Sequence, residues 1–299
     1  MRQKFSNFVC YKVLIFENLM GIEDFLVRIG EFIPFDAGFE DDKLGIQIYT
    51  EPKEIKQVLI AYEVTSEVID EAKNYNADTI VCFHPLIYHP VDRITYDTRV
   101  GLLISKLIQN GLGLIVCHTN FDAFKGGTSW LFAEKLGLVN LDFLVANPKH
   151  SGFGFGVVGE FQQPIAEKEF LELVQKVTFS PLRWCKGKSG KISKVAIVGG
   201  SGMGFAKDAF QLPSDAFITA DIKYHSFHEY NGRMMLVDPG HWEMEYFVPI
   251  GLKNLFENIF KQEITFFVSN IYTNPVRYFA EIDYNEKQKF LVVNKKGER

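Results

Sequence analysis

Three stretches of this sequence end an apolar run in histidine, two of them with a carboxylate close behind. Asp78-Thr79-Ile80-Val81-Cys82 leads through Phe83 to His84-Pro85-Leu86, and Leu114-Ile115-Val116-Cys117 leads to His118-Thr119-Asn120-Phe121-Asp122. Met234-Met235-Leu236-Val237-Asp238 leads to Pro239-Gly240-His241-Trp242-Glu243-Met244-Glu245. Mixed imidazole and carboxylate donors suit Zn²⁺, Mn²⁺ or Fe²⁺, and a histidine beside them can also move protons. His241 and Glu245 are four residues apart, so a helix starting at His241 stacks both on one face. Alone, that pair equally describes a helix-terminal histidine with a solvated glutamate; Pro239 and Gly240 strengthen it by placing it directly after a strand, facing His84 and Asp122. His118 and Asp122 share the spacing, but Asn120 and Phe124-Lys125-Gly126-Gly127 read as a loop with an Asx-type turn. Asp221, Lys223 and His225 read as a helix cap with surface charge rather than as direct ligands.

The elements that must position these residues follow an α/β grammar. Short apolar runs rich in β-branched residues, bounded by polar sequence, read as buried strands, and ligands in open α/β sheets gather at the carboxyl ends of strands. Ile22, Phe25, Leu26, Ile29 and Phe32 have helical spacing that Pro34 stops. Strands are expected at 44–49 and 57–62. A helix begins at the N-capping hydroxyls Thr65-Ser66 and returns to the strand before His84, and a second crossover helix at 98–109 leads to the strand before His118. After Gly126-Gly127-Thr128 comes another helix. Strands near 156–161, 194–198 and 215–221, with a helix at 165–179, repeat the pattern in the second half. Pro148 and the glycines of 147–156 mark a candidate domain boundary.

Gly199-Gly200-Ser201-Gly202-Met203-Gly204 opens after a strand and invites a phosphate-loop reading, but the third glycine of a dinucleotide fingerprint would fall on Phe205. A plain strand-to-helix turn is the simpler account. The chain of 299 residues is 47% hydrophobic and has ample material for a core. Its net charge of -5 and pI near 5.9 argue against a broad nucleic-acid surface. No apolar run reaches membrane-spanning length. Cys10, Cys82, Cys117 and Cys185 show no paired spacing, which fits a reducing compartment, the cytoplasm. Residues 1–19 mix Lys and Arg with apolar residues but lack a small-residue cleavage site, and read as an N-terminal extension.

Taken together, Phe83-His84-Pro85-Leu86, His118-Thr119-Asn120-Phe121-Asp122, Gly199-Gly200-Ser201-Gly202, Thr219-Ala220-Asp221 with Lys223-Tyr224-His225, and Gly240-His241 with Glu245 resemble the GTP cyclohydrolase I type 2 homologs, the Nif-three-like hexameric proteins with a dinuclear metal centre. Five motifs agree in order and spacing over about residues 20–278. The resemblance implies two α/β lobes with parallel or mixed sheets flanked by helices, the second (147–255) inserted into the first (20–146 and 256–299), with the metal site in the cleft between them. The interval from Gly159 to Val195 leaves no room for the further domain that some members carry. It implies a homo-hexamer and, residue by residue, His84, Asp122, His241 and Glu245 as metal ligands, with His118 moving protons or steadying a ligand from behind. Phe83 stands where the family has a histidine, so the site is expected to hold one ion firmly and a second weakly, or to recruit water, His118 or His89. The expected function is a metal-dependent hydrolase acting on a nucleotide or phosphoester through a metal-activated water. The alternative is a ring-forming metal-binding or adaptor protein without catalysis.

Overall fold

Continuous apolar runs form this protein's central strands, and helices cover them from both faces. The computed structural model describes residues 20–51 and 53–278; the expected extension over residues 1–19 lies outside the described residues. The first part of the chain forms α1 (Ile22–Gly30), β1 (Gly45–Ile48), β2 (Gln57–Ala61), α2 (Ser66–Asn74), β3 (Thr79–Cys82), α3 (Arg99–Gln109) and β4 (Gly113–Val116). Two helices follow, α4 (Thr119–Asp122) and α5 (Thr128–Lys135), and then β5 (Val139–Ala146), β6 (Gly154–Ala166), α6 (Glu167–Thr178), β7 (Arg183–Trp184) and β8 (Lys191–Ile197). The remainder is α7 (Ala206–Gln211), β9 (Ala216–Ile218), α8 (Tyr224–Tyr230), β10 (Met235–Asp238), α9 (His241–Glu245), α10 (Val248–Phe260) and β11 (Thr265–Val268).

These strands make two mixed sheets. The first has the order β1-β4-β3-β2-β11, parallel except for β1, which runs antiparallel to β4. The second has the order β5-β6-β8-β9-β10-β7, with only β8, β9 and β10 mutually parallel. All strands of the second sheet lie in the chain between β4 and β11. The glycine- and proline-rich stretch at 147–156 connects β5 to β6, two paired strands of the second sheet.

The period of two along β2 sorts side chains between layers. Val58 and Ile60 join Ile22, Phe25 and Ile29 of α1 and Phe256 and Phe260 of α10. Leu59 and Ala61 join Val68 and Ile69 of α2 and Leu103 and Leu107 of α3. Phe25 stacks on Phe260 at 4.8 Å between ring centroids. The first of these clusters continues through Phe121, Phe132, Met244 and Phe247 to Val195 and Ile218 of the second sheet. One core therefore backs both sheets, and its Phe121 and Met244 belong to α4 and α9, which carry Asp122, His241 and Glu245. Hydroxyl caps start the crossover helices as expected: Thr65 accepts from the Val68 N–H and Thr98 from the Gly101 N–H, each contribution worth about 1 kcal/mol. The stretch after His118, expected as a loop, is instead the single helical turn α4. Asn120 there is fully buried and donates to the Ile33 carbonyl, a tertiary contact invisible to local sequence. No helix among the described residues is long and apolar enough to cross a membrane.

Candidate metal centre

His84 and His118 follow neighbouring parallel strands. Main-chain bonds carry the ladder past the strand ends, from Phe83 N–H to the Ala61 carbonyl, His84 N–H to the Tyr62 carbonyl and Cys117 N–H to the Cys82 carbonyl. The two imidazoles consequently stand side by side, 5.3 Å between centroids. His241 opens α9 directly after β10, and its ring lies 5.4 Å from that of His84. Glu245 closes the same helix one turn on, as the spacing of four requires, and its Oε2 lies 3.2 Å from His241 Nε2 and 3.6 Å from His84 Nε2. One donor atom from each of His84, His241 and Glu245 falls within 4.8 Å of the others, a span over which one ion can bridge three ligands.

Each histidine of the group is held from behind by a carboxylate. His84 Nδ1 is bonded to Glu63 at 3.1 Å, and Glu63 is in turn gripped by Arg99 at 2.7 Å. His118 Nδ1 is bonded to Asp42 at 3.0 Å, and Asp42 accepts from both the N–H and the hydroxyl of Thr119. His241 Nδ1 is bonded to Asp221 at 2.6 Å. A carboxylate on Nδ1 fixes the ring and the tautomer and leaves Nε2 with its lone pair for a metal, the usual arrangement behind metal-binding histidines. The Tyr62 hydroxyl donates to Glu245 Oε2 at 2.8 Å and fixes that carboxylate as well.

Asp122 lines the same cavity but lies outside the tight group of three. Its Oδ1 is buried without a hydrogen-bond partner among the described residues. Burial lifts its carboxyl to about 6, with the charge of His118 acting against the shift and that of Glu245 adding to it. Burial also opposes ionisation of Glu245, yet the charge and hydrogen bond of His241 outweigh it and hold the carboxyl below its ordinary value. His241 is correspondingly pushed up to about 11: burial disfavours its cation, and Glu245 and Asp221 more than compensate. Burial similarly disfavours the His118 cation, but Asp42 and Asp122 raise its pKa overall. Carboxylates crowded into a buried space thus draw protons onto His118 and His241, and a divalent cation answers the same field. Oriented Nε2 atoms, a nearly buried carboxylate between them and an orphaned aspartate oxygen together fit a divalent metal site.

Phe83 supplies no donor. It is fully buried, with its ring edge-on to His118 at 5.1 Å and beside His84 at 5.2 Å. His89 is exposed, packs edge-on against Tyr88 and is not one of the three clustered donors. His225 lies on α8 against Tyr224. Asp221, expected as a cap or surface charge, positions His241. Glu63 and Asp42 were not singled out from sequence. Glu63 follows a strand end just as His84 does, so the same rule could have found it, whereas Asp42 lies in a loop with no local signal.

The Gly199–Gly204 turn walls the site. Gly200 has φ +58°, and a Cβ there would lie 2.5 Å from Glu245 Oε1 and 2.9 Å from His241 Nε2. Gly200→Ala is expected to lower stability by about 1–3 kcal/mol and to reduce bound metal, since it combines a strained backbone with a clash at two ligands. Gly204 faces open space, so Gly204→Ala is the control. Thermal denaturation and elemental analysis of both variants check this; equal metal content in the two would place the ion elsewhere.

Similarity to known proteins identifies the family. A family profile described as Duf34/NIF3 (NGG1p interacting factor 3) matches residues 20–275. A Clostridium perfringens protein named GTP cyclohydrolase 1 type 2 homolog is 31% identical over 261 residues, covering 87% of this chain and 100% of the relative. A Clostridium acetobutylicum protein of the same name is 30% identical over 75% of this chain and 85% of its own length. Among solved structures, Staphylococcus aureus protein SA1388 superposes with a TM-score of 0.80 at 29% identity, covering 88% of this chain and 100% of that one. A Bacillus cereus protein related to NIF3 shares the fold, with a TM-score of 0.79 at 23% identity over 87% of this chain and 99% of its own. With the profile matched over most of its length, the chain belongs to the Duf34/NIF3 (NGG1p interacting factor 3) family.

Proposed function

We propose that this protein is a metal-dependent hydrolase of a small molecule, with His84, His241 and Glu245 holding a divalent ion and Asp122 contributing from the same cavity. The observation that carries this reading is the convergence of imidazoles whose Nδ1 atoms are committed to carboxylates. Zn²⁺, Mn²⁺ or Fe²⁺ suits these donors, as one or two ions per chain, and supplies Lewis acidity that makes a bound water acidic near neutral pH. The protein's own contribution is to orient and to move protons. His118, held by Asp42 and adjoining His84, is placed to take or return a proton, while Tyr62 and Glu63 keep the ligands from swinging. The relatives' name points to nucleotides, and phosphoesters are the other class expected from metal chemistry of this kind.

One observation favours a second reading, a non-catalytic metal-binding ring or adaptor: the apolar Phe83 ring occupies a position beside the ligands. Screening metal-loaded protein for hydrolysis of nucleotides, nucleosides and phosphoesters separates the two. Activity is expected to vanish in Glu245→Gln and to fall by about 10²–10⁴ in His118→Gln with metal retained, since general acid–base groups contribute on that scale. No turnover with any compound favours the adaptor, and activity surviving Glu245→Gln counts against hydrolysis at this metal site. We further place the chain in the cytoplasm, in keeping with the free thiols of Cys82, Cys117 and Cys185, and assemble it as a homo-hexamer of 34.2 kDa chains. Light scattering at micromolar concentration is expected to return six times the chain mass; a monomer rejects the assembly.

A further inference from the structure

The cavity beside the histidines has a volume of about 550 Å³, within the range of small-molecule sites, and its two sides differ in chemistry. One side is the cluster of His118, Asp122, His241 and Glu245. The other is aromatic. Phe39, from the loop before β1, stacks on Phe155 of β6 at 4.3 Å and 17°, and Phe205, just ahead of α7, lies 6.3 Å and 6.1 Å from these two at 19° and 29°. Three elements distant in sequence therefore bring near-parallel rings to one wall. Phe39 is 47% exposed, although its N–H is tied to the Thr119 hydroxyl next to His118. Flat apolar faces of this kind take a planar ring by stacking, as aromatic side chains do with bases in single-strand binding proteins.

Charge narrows the occupant. Glu40, Asp41 and Asp42 also line the cavity, and among the described residues no Lys or Arg lines it. Sites that hold phosphate chains use Arg and Lys, or a turn whose amides point at the anion. Two amides of the turn are committed elsewhere, Gly199 N–H to Ser129 Oγ and Gly202 N–H to Thr219 Oγ1, which leaves at most a short arc of the turn for an anion. A bound metal could accept one anionic group at the cluster, but a phosphate chain extending from it would meet carboxylates. Carboxylates instead accept from the N–H edges of a heterocycle.

We propose that this cavity takes a planar, nucleobase-sized heteroaromatic compound, neutral or cationic and without a phosphate chain. Its ring stacks on Phe155 and Phe205, with N–H groups toward Glu40 and Asp41. The proposal names the substrate class for the hydrolase reading above and rests on it only for the reaction.

The test is calorimetric titration of metal-loaded full chain, at low ionic strength, with adenosine, guanosine, cytidine, uridine and pterin, and with the 5′-mono- and triphosphates of each nucleoside. At least one ring compound is expected to bind, and any nucleoside that binds should do so at least tenfold more tightly than its triphosphate. Phe155→Leu and Phe205→Leu keep apolar volume but lose the aromatic face, and should each weaken binding severalfold with metal content unchanged. Glu40→Lys, a surface change, should narrow or invert the preference against triphosphate. Absence of binding by every ring compound overturns the proposal, as does a triphosphate that binds more tightly than its nucleoside, or unchanged affinity in both leucine variants. Binding without turnover would count against the hydrolase reading alone, and turnover of phosphorylated compounds only would count against this proposal alone.

Discussion

Glu245→Gln should lower affinity for a divalent ion by more than about 100-fold, the largest effect of any single change at this site. Loss of a group that merely orients a ligand typically costs 10- to 100-fold, and Glu245 is a ligand flanked by two others. Its side chain is 3% exposed, with Oε2 facing both His84 and His241 and fixed by Tyr62. Glutamine preserves the shape but removes the charge that offsets the ion in a nearly dry space, and its amide nitrogen is no donor to a metal. Competition against a chelator of known affinity measures the loss. Glu63→Gln is the graded comparison: of the ligands it touches only His84, at Nδ1, and it should fall in the lower, 10- to 100-fold range. Equal losses in the two variants, or wild-type affinity in Glu245→Gln, would show that the ion sits elsewhere.

Much of this arrangement was legible because buried parallel strands advertise themselves. β3 and β4 are buried at every position, so they read as continuous apolar runs, and the first polar residue beyond each is where the sheet opens onto solvent and chemistry. His84, His118 and His241 all satisfy that rule. Strands defined mainly by their partners did not show. β5 is an edge strand whose Asn140 and Asp142 are exposed, β7 is two residues long, and β11 follows a helix whose start carries Pro249 and Gly251. Proline is tolerated in a first helical turn, so it hid α10 rather than ending it. Glycine and proline at 147–156 mark a turn truly enough, but turns within a sheet and turns between domains use the same residues. The carboxylates behind the histidines were the least visible part of the site, because a second-layer partner needs only to arrive in space. Asp42 reaches His118 from 76 positions away.

Phe83 is where the chain departs most from a complete set of donors, and its replacement by histidine separates packing from coordination. The Phe83 ring is 0% exposed and packed with Tyr62, His84 and His118 around it. Without metal, Phe83→His exchanges apolar area for an imidazole with few partners, and should destabilise the fold by about 2–4 kcal/mol. With metal in excess the outcome should reverse, because the new ring lies against the histidine group and a ligated imidazole is no longer an unsatisfied one. Metal binding to the folded state alone then adds stability by mass action, more in the variant than in the unmodified chain. Chelator titration should accordingly find one tightly held ion in the unmodified protein, with any second one lost first, and two in Phe83→His. Thermal denaturation with and without metal should show the larger metal-dependent gain in the variant. Two equally tight ions in the unmodified protein would defeat this account and would move His118, the remaining imidazole beside Asp122, from proton transfer to coordination.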